Sequence, residues 1–208
     1  VHNNSGHNVA DIEEYFLITG NAERIGDHAL NIGEYIKIIK EKSIEKGDLY
    51  NLTSLFTCLH TGTHIDAPAH FLAGGATIDQ LDLTVFMGEC AVINCIGRDD
   101  LTGADIEELV PQGTQRVLFK TLGDCQLTRS AVFALVAAGV RLVGIDGLSI
   151  GTDDDLVAVH RELALAGVAI LEGLSLRHVQ SGRYTLMATP LKIKSVEAAP
   201  CRALLLKT

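Results

Sequence analysis

The sequence predicts an α/β domain, a mixed β-sheet core with flanking helices, preceded by an atypical N-terminal helical segment. Three observations predict it. Short apolar runs at 53–59, 90–96, 116–120, 141–145, 168–171, 184–193 and 202–206 have the length and the β-branched content of strands. Between them, 102–110, 128–138 and 154–166 read as helices. At 208 residues the chain is long enough to bury one sizeable core, as one domain with a short appendage.

Taken in order, the first 47 residues stand apart. Ile18, Ile25, Ala29, Ile32, Ile36 and Ile39 recur at steps of seven, four, three, four and three, which is a helical stripe. Gly20, Gly26 and Gly33 weaken that helix, and Gly20-Asn21 marks a place to break it. The expected organisation is therefore a helical segment over 1–47, serving oligomerisation or fused from elsewhere, and a second domain over 48–208. The stripe needs burial, so a homodimer or higher homo-oligomer is expected. Further along, Thr128 is placed to cap the helix that follows it, and Gly139 to end that helix before the strand at 141–145.

Composition narrows the partners. A net charge of -9, with no basic stripe interleaved with aromatics, argues against nucleic acid. No apolar segment is long enough to cross a bilayer and no signal-peptide pattern is present, so no membrane partner and a cytoplasmic location are expected. A small-molecule substrate is the remaining expectation. The five cysteines include no C-x-x-C pair and read as reduced, mostly buried thiols.

The chemistry is concentrated in His60-Thr-Gly-Thr-His64-Ile-Asp66-Ala-Pro-Ala-His70-Phe71. Three imidazoles and a carboxylate in so short a stretch suit zinc, manganese or iron; an oxygen-only set would suit magnesium or calcium. Gly62 and Pro68 exclude a continuous helix, so the ligands are expected to converge from a strand end and a tight loop. Further ligands must come from downstream. His160, in the helix at 154–166, and Glu172, after the run 168–171, are candidates, although spacing alone equally allows an ordinary helix histidine and a solvated strand end. Asp146, after the strand at 141–145, either orients a ligand or starts the next turn. Gly74 and Gly75 read as a tight backbone turn beneath the site.

The stretch from His60 to Phe71 resembles the H-x-G-T-H-x-D-x-P-x-H-F signature of the cyclase family of metal-dependent hydrolases, which includes bacterial kynurenine formamidases and isatin hydrolases. The resemblance continues through 72–81, 141–149, 160–174 and 184–193, and so spans roughly 48–208. It implies a swivelling β/β/α-like fold and one or two divalent metal ions, zinc or manganese foremost. It implies that His60, His64 and Asp66 hold one ion and His160 a second, with Asp66 and Glu172 bridging, and that His70 transfers protons. The activity it implies is hydrolysis of a small amide, an aryl formamide such as N-formylkynurenine or a lactam, by a metal-activated water. The alternatives are a lactone or polyketide-type cyclase and a catalytically inactive metal-binding or oligomerisation module. Members usually begin with an Asp-Leu-[Ser/Thr]-His strand and a loop that supplies an aromatic residue, often Trp; this chain has neither at its start and no Trp at all. Its Ala22-Glu-Arg-Ile-Gly-Asp-His-Ala-Leu-Asn31 instead resembles a helical repeat of PhoU-type regulators, with Glu23 and Asp27 at that family's acidic metal-contacting positions. One such helix cannot form a bundle core, so no phosphate-signalling role is expected from it.

Overall fold

A computed structural model describes residues 37–207 of the chain, and these fall into two units divided between Cys58 and Leu59. In the first unit, strands β1 (Lys37–Lys42) and β2 (Leu52–Phe56) form an antiparallel hairpin in which Ile38 lies opposite Leu55 and Ile39 opposite Ser54. This corrects the helical stripe at its C-terminal end. Ile39, its last member, lies in a strand, because consecutive β-branched residues with a partner strand to pair with favour the extended ladder. The stripe from Ile18 to Ile36 and the PhoU-like residues lie outside the described residues. The boundary expected between residues 47 and 48 falls inside the turn of this hairpin. There Gly47 is left-handed (φ 90°), and Ser43 donates its N–H to Asp48 Oδ2 at 2.7 Å while accepting the Asp48 N–H at 3.1 Å.

The second unit is built on an eight-stranded mixed sheet of order β10-β8-β4-β5-β6-β7-β3-β9. Its centre is four parallel strands, β4 (Met87–Asn94), β5 (Arg116–Lys120), β6 (Leu142–Ile145) and β7 (Ala169–Glu172). Helices α1 (Gly103–Leu109), α2 (Arg129–Ala137) and α3 (Leu156–Leu165) make the three returns between them, as parallel pairing requires. Antiparallel strands flank this centre. On one side lie β8 (Gly182–Met187) and β10 (Leu204–Lys207); on the other lie β3 (His64–Asp66) and β9 (Ala198–Pro200). Six of the seven sequence-predicted strands and all three helices have counterparts in this unit, and the seventh run, 53–59, corresponds to β2 of the first. Strands β3 and β9, three residues each, carry no β-rich run and were not among them.

Helices α1 and α2 start, and α2 stops, for local reasons. Thr102 and Thr128 accept hydrogen bonds from the backbone N–H groups of Asp105 and Ala131, and Gly139, left-handed at φ 79°, ends the turn after α2. Alternation along the central strands divides the core. Val117 and Phe119, Val143 and Ile145, and Ile170 face the helices, where they meet Leu135, Val159 and Leu163. Leu118, Leu142, Ala169 and Leu171 face the other way, into a second cluster that takes Ile65 from β3, Ala199 from β9, Val92 from β4 and Leu186 from β8. Strands from opposite ends of the sheet order share that cluster, so the sheet curls around it. Among the described residues no helix is long and apolar enough to cross a membrane.

Phe119 is fully buried on the helix side. Phe119→Ala is expected to lower unfolding stability by about 3–5 kcal/mol through lost transfer energy and a residual cavity. Urea denaturation of the metal-free protein checks this; a loss below about 1 kcal/mol would mean that the helix layer is not packed on the sheet as described.

Candidate metal centre

Strand alternation builds one half of the site. In β3, Ile65 enters the core enclosed by the curled sheet, so His64 and Asp66 project together from the opposite, helix-facing side. The antiparallel register sets His64 directly opposite Glu172, two residues beyond the helix-facing Ile170. Helix α3 supplies the other half, because His160 lies on its buried face beside Val159 and Leu163. His60 comes from the turn that precedes β3.

The structure brings all five ligand-type residues expected from the sequence into one place. The ligand atoms of His60, His64 and Asp66 lie within 4.8 Å of one another, as do those of Asp66, His160 and Glu172. His64 Nε2 is 3.3 Å from Asp66 Oδ1 and 3.5 Å from Glu172 Oε2, and His160 Nε2 is 3.2 Å from Glu172 Oε1. His60 Nδ1 approaches Asp66 Oδ1 to 2.9 Å. That contact has a hydrogen-bond distance without hydrogen-bond alignment: His64 Nε2 and both oxygens of Asp66 are buried and have no aligned partner. Buried polar atoms in native folds are almost always satisfied, so lone pairs aimed at a common point fit a cation. The donor set of three imidazoles and two carboxylates fits zinc, manganese or iron.

The ring orientations are held from outside. His64 Nδ1 lies 2.9 Å from the Gly62 carbonyl and His160 Nδ1 lies 2.7 Å from the Leu156 carbonyl, which leaves each Nε2 facing the site. Glu172 Oε1 also accepts the Ile150 N–H at 2.7 Å. Asp146 lies outside both clusters; its Oδ1 accepts from the Thr121 N–H and hydroxyl and from the Leu122 N–H, which clamps the loop after β5. His70 ends a 3₁₀ turn, Pro68–His70, and is exposed on one side. Its ring stands 4.2 Å from that of His60 and 6.4 Å from that of His160. Phe71 stacks on His160 at 4.6 Å, and its carbonyl accepts from Arg161 of α3 at 3.2 Å. Beneath this turn Gly75 has no room for a side chain, since a Cβ would come within 2.7 Å of the Pro68 backbone.

Electrostatics follow from this packing. Burial pushes the Asp66 carboxyl up, but the imidazoles of His60 and His64 outweigh it and hold it well below the usual carboxylate range. Burial works against the charged forms of His64 and His160. Asp66 and the Gly62 carbonyl overcome this at His64, Glu172 overcomes it at His160, and both imidazoles are raised above the ordinary value. At His70 burial prevails and the ring is lowered.

Sequence reasoning missed three contributors. Gly173, left-handed at φ 65°, lets β7 run against the ligand turn, where a Cβ would sit 2.3 Å from the Gly62 oxygen. Arg161 ties the His70 turn to α3, and Glu197 Oε1 lies 3.6 Å from His60 Nε2. Only Gly173, following a candidate ligand, left a usable signal.

Two predictions follow from this geometry. Gly173→Ala must displace the Gly62 carbonyl that orients His64, so metal retention on dialysis should fall about 10-fold or more, with a stability loss of about 1–2 kcal/mol; unchanged retention by mass spectrometry would refute the coupling. The second concerns pH. For the metal-free protein, the stability contributed by the raised His64 and His160 is present below pH 6.5 and is lost as pH rises through their folded values. The stability contributed by Asp66 is present above pH 3.8 and is lost as pH falls towards its lowered value. Metal-free protein should therefore melt lower at pH 8 than at pH 6, and His64→Ala should flatten that difference.

The family model described as "Putative cyclase" matches residues 27–152, and so takes in part of the segment set apart at the start of the chain. A structure described as a potential metal-dependent hydrolase with cyclase activity is 34% identical, covering 81% of this chain and 86% of that one, with a TM-score of 0.71. A "predicted metal-dependent hydrolase" from Bacillus stearothermophilus is 34% identical over 82% of this chain and 86% of its own, also with a TM-score of 0.71. Isatin hydrolase A from Ralstonia solanacearum shares the fold, with a TM-score of 0.71, 22% identity and coverage of 83% of this chain and 82% of that one.

Proposed function

This chain belongs to the cyclase family, and we propose that within it the protein is a metal-dependent amidohydrolase acting on a small aryl formamide or lactam. The observation that carries this reading is the set of buried, unsatisfied atoms His64 Nε2, Asp66 Oδ1 and Asp66 Oδ2 at the meeting point of five ligand-type side chains. His60, His64 and Asp66 would hold one divalent ion, and His160 and Glu172, sharing Asp66, a second. Zinc or manganese is the ion proposed, as the family resemblance implies, and the donor set accepts either. A bound ion supplies Lewis acidity, polarising a carbonyl oxygen and acidifying a water.

His70 handles the proton. Its lowered pKa leaves the imidazole neutral at pH 7, able to accept a proton from the attacking water and return it to the leaving nitrogen. Its exposed side gives substrate access. Phe71, half-buried with its ring edge-on to His70 at 4.3 Å, offers an apolar surface that suits an aryl group beside the scissile carbon–nitrogen bond. A cytoplasmic homo-oligomer with no nucleic-acid or membrane partner completes the proposal.

The deciding experiment is metal content per folded chain by mass spectrometry, with His64→Ala prepared identically. One to two equivalents of a transition metal, lost in the variant, is the expected result; a folded native chain that takes up none after reloading would sink the reading. With metal present, His70→Asn should keep its metal and lose about 10²–10⁴-fold in kcat on an N-formyl arylamine or an isatin-type lactam.

A further inference from the structure

The three histidines of the centre are not held alike. His64 and His160 sit on a strand and a helix, and each gives its outward Nδ1 to a backbone carbonyl. His60 lies in an irregular turn with its side chain 24% exposed, and it presents the opposite edge: Nδ1 faces Asp66 Oδ1, and Nε2 faces away from the ligand cluster. Packing alone does not fix such a ring. The outward nitrogen instead meets a carboxylate, with Glu197 Oε1 3.6 Å from His60 Nε2. The backbone that delivers this carboxylate is firmly placed. The Glu197 carbonyl accepts the Ala67 N–H at 2.8 Å, and β9 begins at the next residue, with Ala198 paired to Asp66.

We propose that Glu197 is the positioning residue for His60, accepting from the outward Nε2–H and so turning Nδ1 towards the ion position shared with His64 and Asp66. The inference rests on the metal-centre reading. Its physical basis is that a carboxylate on the outer nitrogen of a ligating imidazole fixes both tautomer and ring orientation and makes the inner nitrogen a better donor. Backbone carbonyls do this for the two buried rings. At the solvent-facing ring no carbonyl hydrogen-bonds to His60 among the described residues, and the residue before β9 supplies a side chain instead. Glu197 lies outside both ligand trios, so it acts through His60. With its side chain 44% exposed, Glu197 is an unexceptional surface acid in the simplest alternative, and a surface acid would not couple to His60.

That coupling is what the experiment measures. Zinc affinity of the full chain is read by competition with a chromophoric chelator for the native protein, Glu197→Ala, Glu197→Gln, His60→Ala and the His60→Ala/Glu197→Ala double variant. Glu197→Ala should bind zinc about 10- to 100-fold more weakly, the range found when such outer partners are removed. Glu197→Gln, whose amide oxygen still accepts the hydrogen bond, should stay within about threefold of native. In the His60→Ala background, removing Glu197 should change affinity by less than about twofold. The proposal is overturned if Glu197→Ala binds like native, if Glu197→Gln is as weak as Glu197→Ala, or if the loss persists without His60. It is also overturned if Glu197→Ala does not fold, since a half-exposed side chain acting only on His60 is dispensable for folding. A native chain that binds no zinc, nor any other transition metal on reloading, would instead remove the metal-centre reading itself.

Discussion

Asp66 is the group on which the architecture turns. It is 4% exposed, ionised, and the only residue common to both ligand trios, yet neither of its oxygens has an aligned hydrogen bond. An uncompensated buried carboxylate costs several kcal/mol. Glu172 escapes that cost through the Ile150 N–H and His160, whereas Asp66 has only the positive potential of neighbouring imidazoles. A cation between the two trios answers this demand more completely than any side chain in the vicinity. The cluster therefore has the character of a binding site, since as packing alone it would weaken the fold.

Holding Asp66 there requires strand β3 to lie between β7 and β9, antiparallel to both. Three residues of strand are a slight anchor, so the approach to it is stitched from several sides. Thr63 donates its hydroxyl to the Gly173 carbonyl at 2.7 Å, and the Thr63 carbonyl accepts the Cys201 N–H at 3.0 Å. Gly173 makes the first of these possible by conceding its side chain. The same Gly62 carbonyl that limits Gly173 also orients His64, so backbone packing and ligand geometry are set by one contact.

These relations explain what the sequence disclosed and what it withheld. Strands β5, β6 and β7 are buried on both faces and read as continuous apolar runs, which periodicity detects. The ligand signature is equally legible, because its residue types are rare at that density. Strand β3 is not, since it consists of the ligands themselves and takes its extended form from distant partners. The isoleucine stripe misleads at Ile39 because steps of three and four residues also occur by chance where a β-branched pair enters a hairpin. His160 and Glu172 looked ordinary in spacing; the α3–β7 return, by placing a helix over its own following strand, makes them neighbours. Glu197 had no local signal, because its importance depends on β9 pairing with a strand more than a hundred residues earlier.

The site is also graded from inside to outside. Asp66, His160 and Glu172 are all buried, and their positions are fixed by strand register and by a helix packed on the sheet. His60 and His70 are reached from solvent and rest on turns, with their rings 4.2 Å apart and tilted by 35°. Under the proposed function substrate enters on the His60–His70 side, because access from the other would mean parting α3 from the sheet. A turn can yield to an incoming carbonyl without breaking any ladder hydrogen bond, while the inner ligands stay put. The fold thus separates two demands that conflict in a rigid cavity. On the function proposed, ligand placement falls mainly to regular elements, with His60 steadied by Glu197, and substrate entry and proton transfer fall to the His70 turn.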